Sequence, residues 1–312
     1  MFLNIILLLV GFVLLIKGAD FFVDGSSSVA KLIGIPGFVI GLTVVAMGTS
    51  APEAAVSISA GLQGSNEIAV SNVIGSNSFN LLVVAGICAV IKPYKIEKEL
   101  LHRDFPVNVV VSVVLLLMAL AGATLTRFNG ILMLVCFAAY IAFILWVAFK
   151  NREKQTDEDV KTMSPLLSVL AIIGGLAAVI FGGDMVVDSA TAIAQQLGWS
   201  ETFIGLTIIA IGTSLPELVT SIVAAKKGES GLAMGNVIGS NLFNIMLILG
   251  LSSTINPIPI DTNGVINISI LIGVTALIYV ACLVKKGMGR GVGAASVLGY
   301  CVYTAYLLIT TV

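Results

Sequence analysis

Charge is scarce in this chain. Only 11% of its 312 residues are Asp, Glu, Lys or Arg, against 58% hydrophobic residues, and the mean hydropathy is +1.08. A soluble protein of this length could not cover its surface with so few charges. Histidine is almost absent, with one residue. Cysteine is rare too: Cys88, Cys136, Cys282 and Cys301 all lie within apolar runs, without paired or metal-type spacing. They read as small hydrophobes, not as a disulfide framework or a metal site. The net charge is −1 and no basic block is present, which excludes nucleic acid as a partner. Met1–Ile16 lacks the basic start and small-residue cleavage site of a signal peptide, so it reads as a first membrane helix. No nucleophile–base arrangement is visible, which disfavours an enzyme.

What the chain does have is long apolar runs. Ten can be drawn, near 2–23, 37–62, 66–91, 105–122, 128–149, 165–190, 201–225, 231–255, 264–284 and 291–311. Of the 16 basic residues, 14 fall in the odd-numbered connections, Arg127 falls in an even one and Lys17 lies within the first run. With the basic side cytoplasmic, both termini face outward across a cell inner (plasma) membrane. The expected fold is an all-α membrane protein with ten transmembrane helices in two inverted five-helix repeats. The division is 1–150, a short charged cytoplasmic linker at 151–164, and 165–312.

One stretch occurs twice. Gly41–Asn80 returns 164 positions later as Gly205–Asn244, without a gap. Thr49, Ser50, Pro52, Glu53, Asn72, Gly75, Ser76, Asn77 and Asn80 thereby match Thr213, Ser214, Pro216, Glu217, Asn236, Gly239, Ser240, Asn241 and Asn244. With five spans per half, the two copies enter the membrane in opposite directions, the arrangement of many secondary transporters. Glu53 and Glu217 fall mid-span, where a carboxylate costs about 2.5–3.5 kcal/mol on insertion scales. Pro52 breaks its helix and is expected to free carbonyls such as those of Ala46 and Met47. Thr49 and Ser50 add hydroxyls. Ser76 and Asn80 share a face at i, i+4 spacing, and Ser240 and Asn244 repeat them. The inventory is all oxygen, which suits hard cations such as Ca²⁺ and Na⁺.

Blander readings stand beside this one. A single Gly/Ser/Pro kink serves helix packing equally well, and Asn80 and Asn244 read alternatively as inter-helix hydrogen-bonding groups. A lone Glu53 could be a protonated structural acid; its duplicate argues otherwise. Asn72 and Asn236 read as structural. Asp20 and Asp24, repeated as Asp184 and Asp188, read as boundary residues near the ends of spans one and six.

The motifs GTSAPE with GSNSFN, and GTSLPE with GSNLFN, resemble the two alpha repeats of the cation/calcium exchanger superfamily, and most closely its prokaryotic sodium/calcium exchanger branch. The resemblance implies Na⁺-driven Ca²⁺ antiport by alternating access, with spans one and six sliding over the rest. It implies ion ligation by Glu53 and Glu217 with Thr49, Ser50, Ser76, Asn80, Thr213, Ser214, Ser240 and Asn244, and by the carbonyls of Ala46 and Ala210. No cofactor is implied beyond the transported ions, and no obligate protein partner. Asn244 stands where potassium-co-transporting members carry an acid. The GN-x-x-E pattern typical of calcium/proton members is missing, which favours sodium as the counter-ion. A Ca²⁺/H⁺ antiporter on the same fold and site is the alternative, and a passive channel the rival from another class.

Overall fold

The computed structural model describes residues 1–64, 66–151, 162–199, 208 and 210–311. Most of the expected linker, and the start of the expected seventh span with Gly205–Thr207, lie outside them. Among the described residues, seven helices are long and apolar enough to cross a membrane, and one bent pair adds an eighth crossing. In chain order the helices are α1 (Phe2–Ile33), the bent pair α2 (Gly37–Thr49) and α3 (Ala51–Leu62), α4 (Glu67–Ile91), α5 (Leu100–Gly122), α6 (Arg127–Lys150) and α7 (Pro165–Gln196). After a short turn at Ala210–Gly212 come α8 (Leu215–Lys227), α9 (Ser230–Ile255), α10 (Thr262–Lys285) and α11 (Arg290–Thr311).

Burial sorts these helices into an inner pair and an outer ring. The most apolar windows of α4 and α9 are 78% and 94% buried, whereas those of α1, α5, α6, α7 and α10 are 22–28% buried. The composition explains the division. The outer helices carry the continuous Leu, Ile, Val and Phe runs that lipid favours, while α4 and α9 carry the repeated Asn, Ser and Gly residues that can only be satisfied inside protein.

Two short antiparallel ladders tie the connections. Tyr94–Lys95 (β1) pairs with Gly287–Met288 (β4), and Thr124–Leu125 (β2) pairs with Ile258–Pro259 (β3). An offset of 164 carries β1 onto β3, and one of 163 carries β2 onto β4. The internal repeat therefore extends beyond the Gly41–Asn80 stretch into the connecting loops.

One outer pair, α1 and α7, is held together by glycine. Gly11, Gly18 and Gly25, seven residues apart, face Gly182, Gly175 and Ser168 in turn. A Cβ on Gly18 would come 2.8 Å from the Gly175 carbonyl oxygen, and one on Gly182 would come 2.7 Å from the Leu15 nitrogen. Small residues at such a seam let two backbones touch, the main source of helix association in lipid.

Span one is longer than its apolar run. The helix continues to Ile33 and closes on Gly34, whose φ of 70° suits glycine. Asp20 and Asp24 are thus interior to α1 and do not cap its end, and Asp184 and Asp188 are likewise interior to α7. The apolar run stops early because the two aspartates have a local partner: the Lys227 ammonium lies 3.4 Å from Asp20 and 2.7 Å from Asp24. One turn on, Glu229 accepts from Ser27 at 2.7 Å and from Lys31 at 3.2 Å. These pairs are partly exposed, and such pairs contribute at most about 1 kcal/mol each. Lys227→Gln is accordingly expected to lower the thermal midpoint only slightly, by at most about 5 °C. A drop well beyond that, in detergent-solubilised protein, would mean that the contact is desolvated.

Candidate cation site

The site is built where two helices restart. Pro52 and Pro216 occupy the second position of α3 and α8, where a missing N–H costs nothing. The first break bends the chain by 49° between α2 and α3. Ser50 and Ser214 are the N-caps, and Glu53 and Glu217 lie three residues on, in the first turn. Ser-x-x-Glu is the sequence of a capping box, in which both side chains close back on their own helix end. Here neither serine caps its own helix. Each crosses to the other copy. Ser50 Oγ donates to Glu217 Oε1 at 2.7 Å, and Ser214 Oγ donates to Glu53 Oε1 at 3.0 Å. Both carboxylates remain at the positive end of a helix dipole, which favours their charge by about 0.3–1 kcal/mol.

The inner helices complete the cluster. Ser76 Oγ donates to Glu53 Oε1 at 3.3 Å and lies 3.2 Å from Ser214 Oγ. Thr49 Oγ1 lies 3.1 Å from the Val45 carbonyl and 3.2 Å from Asn236 Oδ1. Asn236 and Asn72 serve as braces, as the sequence implied. Asn72 Nδ2 donates to the Glu53 carbonyl and to Ser57, and Asn236 Nδ2 donates to Ser221. Asn80 and Asn244 each fall at the start of a π-helical segment, Asn80–Val84 in α4 and Phe243–Ile248 in α9. Such widened turns recur at functional sites because they redirect a side chain.

Thr49, Ser50, Glu53, Ser76, Asn80, Ser214, Glu217, Ser240 and Asn244 are all buried. A polar cluster of this kind ordinarily pairs every atom. This one does not. Glu53 Oε2, Glu217 Oε2, Asn80 Oδ1, Asn244 Oδ1, Thr213 Oγ1 and Ser240 Oγ have no protein hydrogen-bond partner. Two of these atoms belong to carboxylates and all six are oxygen, the donor set that hard cations take. Among the described residues no group of three or more His, Cys, Asp and Glu side chains converges. The two glutamates are therefore the acidic part of the cluster.

The carbonyl expectation needs correcting. Ala46 is not freed: its carbonyl oxygen accepts the Ser50 N–H at 3.1 Å. The donor that Pro52 lacks would have served residue 48, four back, so the break acts on Gly48 and not on Ala46. In the second copy the Ser214 N–H donates to the Ile211 carbonyl at 3.1 Å.

Asn77 and Asn241 belong to the repeated set, but residue type and spacing alone assign them no role. Asn77 Nδ2 donates to the Asn241 carbonyl at 3.2 Å, and Asn241 Nδ2 donates to the Asn77 carbonyl at 3.3 Å. Their exact recurrence in both copies was the available signal.

An all-helical membrane core with doubled helix breaks and a buried polar cluster between them defines the class: a membrane transporter, not an enzyme. The model of the family described as sodium/calcium exchanger protein matches residues 3–146 and 167–309, and the chain belongs to that family. Inner membrane protein YrbG of Escherichia coli is 37% identical, over 96% of this chain and 95% of its own. Sodium/calcium exchanger MaX1 of Methanosarcina acetivorans is 32% identical, over 82% and 84%. Among solved structures, the sodium-calcium exchanger NCX_Mj soaked with zero Na⁺ and Ca²⁺ superposes with a TM-score of 0.87 at 31% identity, over 98% of this chain and 99% of its own.

Proposed function

We propose that the chain is a secondary active antiporter that exchanges Na⁺ for Ca²⁺ across a cell inner membrane, with the ions bound between its two halves near the midplane. The observation that carries this is the crossed pair of buried carboxylates, each held by the other copy's serine and each with one oxygen unpartnered. Two negative charges balance one divalent cation or two monovalent ones at the same oxygens. Competition for one set of ligands is what obligatory exchange requires. The ligand set of this reading is Glu53, Glu217, Thr49, Ser50, Ser76, Asn80, Thr213, Ser214, Ser240 and Asn244. The Ala46 carbonyl enters only through its second lone pair, and the Ala210 carbonyl is the corresponding group in the other half.

The architecture of the proposal is ten helices in two inverted halves, 1–150 and 165–312, with both termini outside. The recurrence of the ladders and of the crossed hydrogen bonds supports it. For alternating access, α1 and α7 slide together over the rest. Their glycine seam and their low burial favour motion as one unit.

Proteoliposomes loaded with Na⁺ test the reading: an outward Na⁺ gradient should drive uptake of radioactive Ca²⁺. Uptake indifferent to Na⁺ would sink it, and a pH gradient that replaces Na⁺ would select Ca²⁺/H⁺ exchange instead. Acid should inhibit. A proton on either glutamate removes one of the two charges that hold the ion, so the apparent Ca²⁺ affinity is expected to fall as pH is lowered. Initial rates measured from neutral pH to about pH 5 at subsaturating Ca²⁺ check this, and a flat profile would count against the carboxylates as ligands.

A further inference from the structure

A cation site that uses asparagine must control which end of the amide faces the ion. The two ends have nearly the same shape, and half a turn about the last side-chain bond exchanges oxygen for an NH₂ group that repels cations. Asn80 and Asn244 are buried, and each has an unpartnered Oδ1. Something therefore holds their nitrogen ends away. Asn244 Nδ2 donates to Asn77 Oδ1 at 3.0 Å, and Asn80 Nδ2 donates to Asn241 Oδ1 at 3.2 Å.

This only moves the question to Asn77 and Asn241, which are amides too. Their nitrogens end on backbone carbonyls: Asn77 Nδ2 on that of Asn241, and Asn241 Nδ2 on that of Asn77. A carbonyl only accepts, so its partner cannot turn round without losing the bond. The orientation is thus fixed in sequence, from a carbonyl of the facing helix, through Asn77, to the amide of Asn244. The mirror path runs through Asn241 to Asn80. Both paths cross between α4 and α9.

We propose that Asn77 and Asn241 are positioning residues. They touch no ion; they lock the amides of Asn244 and Asn80 with oxygen toward it. The inference rests on the cation-site reading above, and it names which residues keep that site selective for cations.

The test is a double-substitution cycle on purified protein. Ca²⁺ binding is read as the half-saturating concentration in equilibrium dialysis with radioactive Ca²⁺, Ca²⁺-dependent melting reports whether each variant folds, and exchange is read separately in proteoliposomes. Asn77→Leu keeps the branched shape and the heavy-atom count of the side chain, with somewhat larger terminal groups, and removes the tether. It is expected to raise the half-saturating Ca²⁺ on the order of tenfold, about as much as Asn244→Leu. Combining the two should be no worse than the stronger single change, because both remove the same ligand.

Rescue separates positioning from general support. Asn244→Asp presents oxygen in either orientation. Placed on Asn77→Leu, it should bring the half-saturating Ca²⁺ back to within about threefold of wild type. Asn244→Asp alone measures what the added charge contributes; positioning predicts the same half-saturating Ca²⁺ in Asn244→Asp with and without Asn77→Leu, whereas a packing defect would weaken binding in both backgrounds alike. Unchanged binding in Asn77→Leu, multiplied losses in the combined variant, or no rescue would each overturn the proposal. If Asn77→Leu does not fold, the mirror set Asn241→Leu, Asn80→Leu and Asn80→Asp carries the same expectations. Wild-type protein that binds Ca²⁺ but shows no Na⁺-dependent flux would overturn the exchanger reading alone, while the binding cycle would still decide the tether. Wild-type protein that binds no Ca²⁺ would overturn both.

Discussion

Glu53→Gln and Glu217→Gln should each abolish Na⁺-driven Ca²⁺ uptake while leaving a folded protein. Each change removes one of two charges in a cluster that excludes solvent. Breaking a buried ion pair by removing one partner costs about 3–5 kcal/mol, which corresponds to a loss in affinity of about 100-fold or more. On the exchanger reading the second partner is the transported ion, so the loss falls on binding and not on folding. Stability should respond in the opposite sense. Without an ion, the native protein must bury two like charges near each other, and an amide relieves that cost. Glutamine also keeps an oxygen to accept from the crossed serine. The ion-free variants are therefore expected to melt no lower than ion-free wild type, and to lose the rise in melting temperature that Ca²⁺ confers. Flux together with Ca²⁺-dependent melting checks both halves. A variant that still exchanges at more than about a tenth of the wild-type rate would remove that carboxylate from the ligand set.

Much of this site is legible in the sequence, for physical reasons. A carboxylate in the middle of an apolar run is costly enough to need an explanation, and proline in a helix interior both lacks a donor and clashes with the preceding turn. Glu53, Pro52 and their copies Glu217 and Pro216 therefore announce a break and a charge before any coordinates are known. Spacing alone also places Ser76 beside Asn80. What local rules cannot reach is which chain segment answers which group. Ser50-Ala51-Pro52-Glu53 has the pattern of a self-contained cap, yet the serine bonds to Glu217, 167 residues away. The Ala46 carbonyl stays paired because the one donor that Pro52 lacks would have served Gly48, four residues before it. The apolar run marks only part of the first helix, because Asp20 and Asp24 interrupt it while the helix continues. Their stabilisation comes from Lys227, which no periodicity places near them. Asn77 went unassigned because its partner is the backbone of Asn241, and a backbone leaves no trace in composition.

Gly175→Leu should stop exchange, and Gly174→Leu, its neighbour on the same helix, should not. The two substitutions add the same apolar bulk to α7. At Gly175 the first added carbon already lies 2.7 Å from the Gly18 oxygen and 2.9 Å from the Phe22 Cα. At Gly174 nothing lies within 4 Å. Leucine at 175 must push α1 and α7 apart, while leucine at 174 points into open space. The separation matters because this pair rests on both helix breaks. A Cβ on Gly48, two residues before Ser50, would meet the Leu176 and Phe22 side chains at 2.9 and 3.3 Å. Gly212, two residues before Ser214, is packed against Val187. Each break is thus covered by α7, and the first by α1 as well. If the pair must slide as one unit, spreading it uncouples motion over one break from motion over the other. The glutamates and their serines remain in place, because their hydrogen bonds among the described residues run between the two repeats and α4, not through α1 or α7. Gly175→Leu is therefore expected to keep Ca²⁺-dependent melting within about threefold of the wild-type half-saturating concentration and to lose at least about 90% of its flux. Wild-type flux in Gly175→Leu would mean that the seam packs without carrying motion. Parallel loss of binding and flux would place the seam's contribution in the site itself.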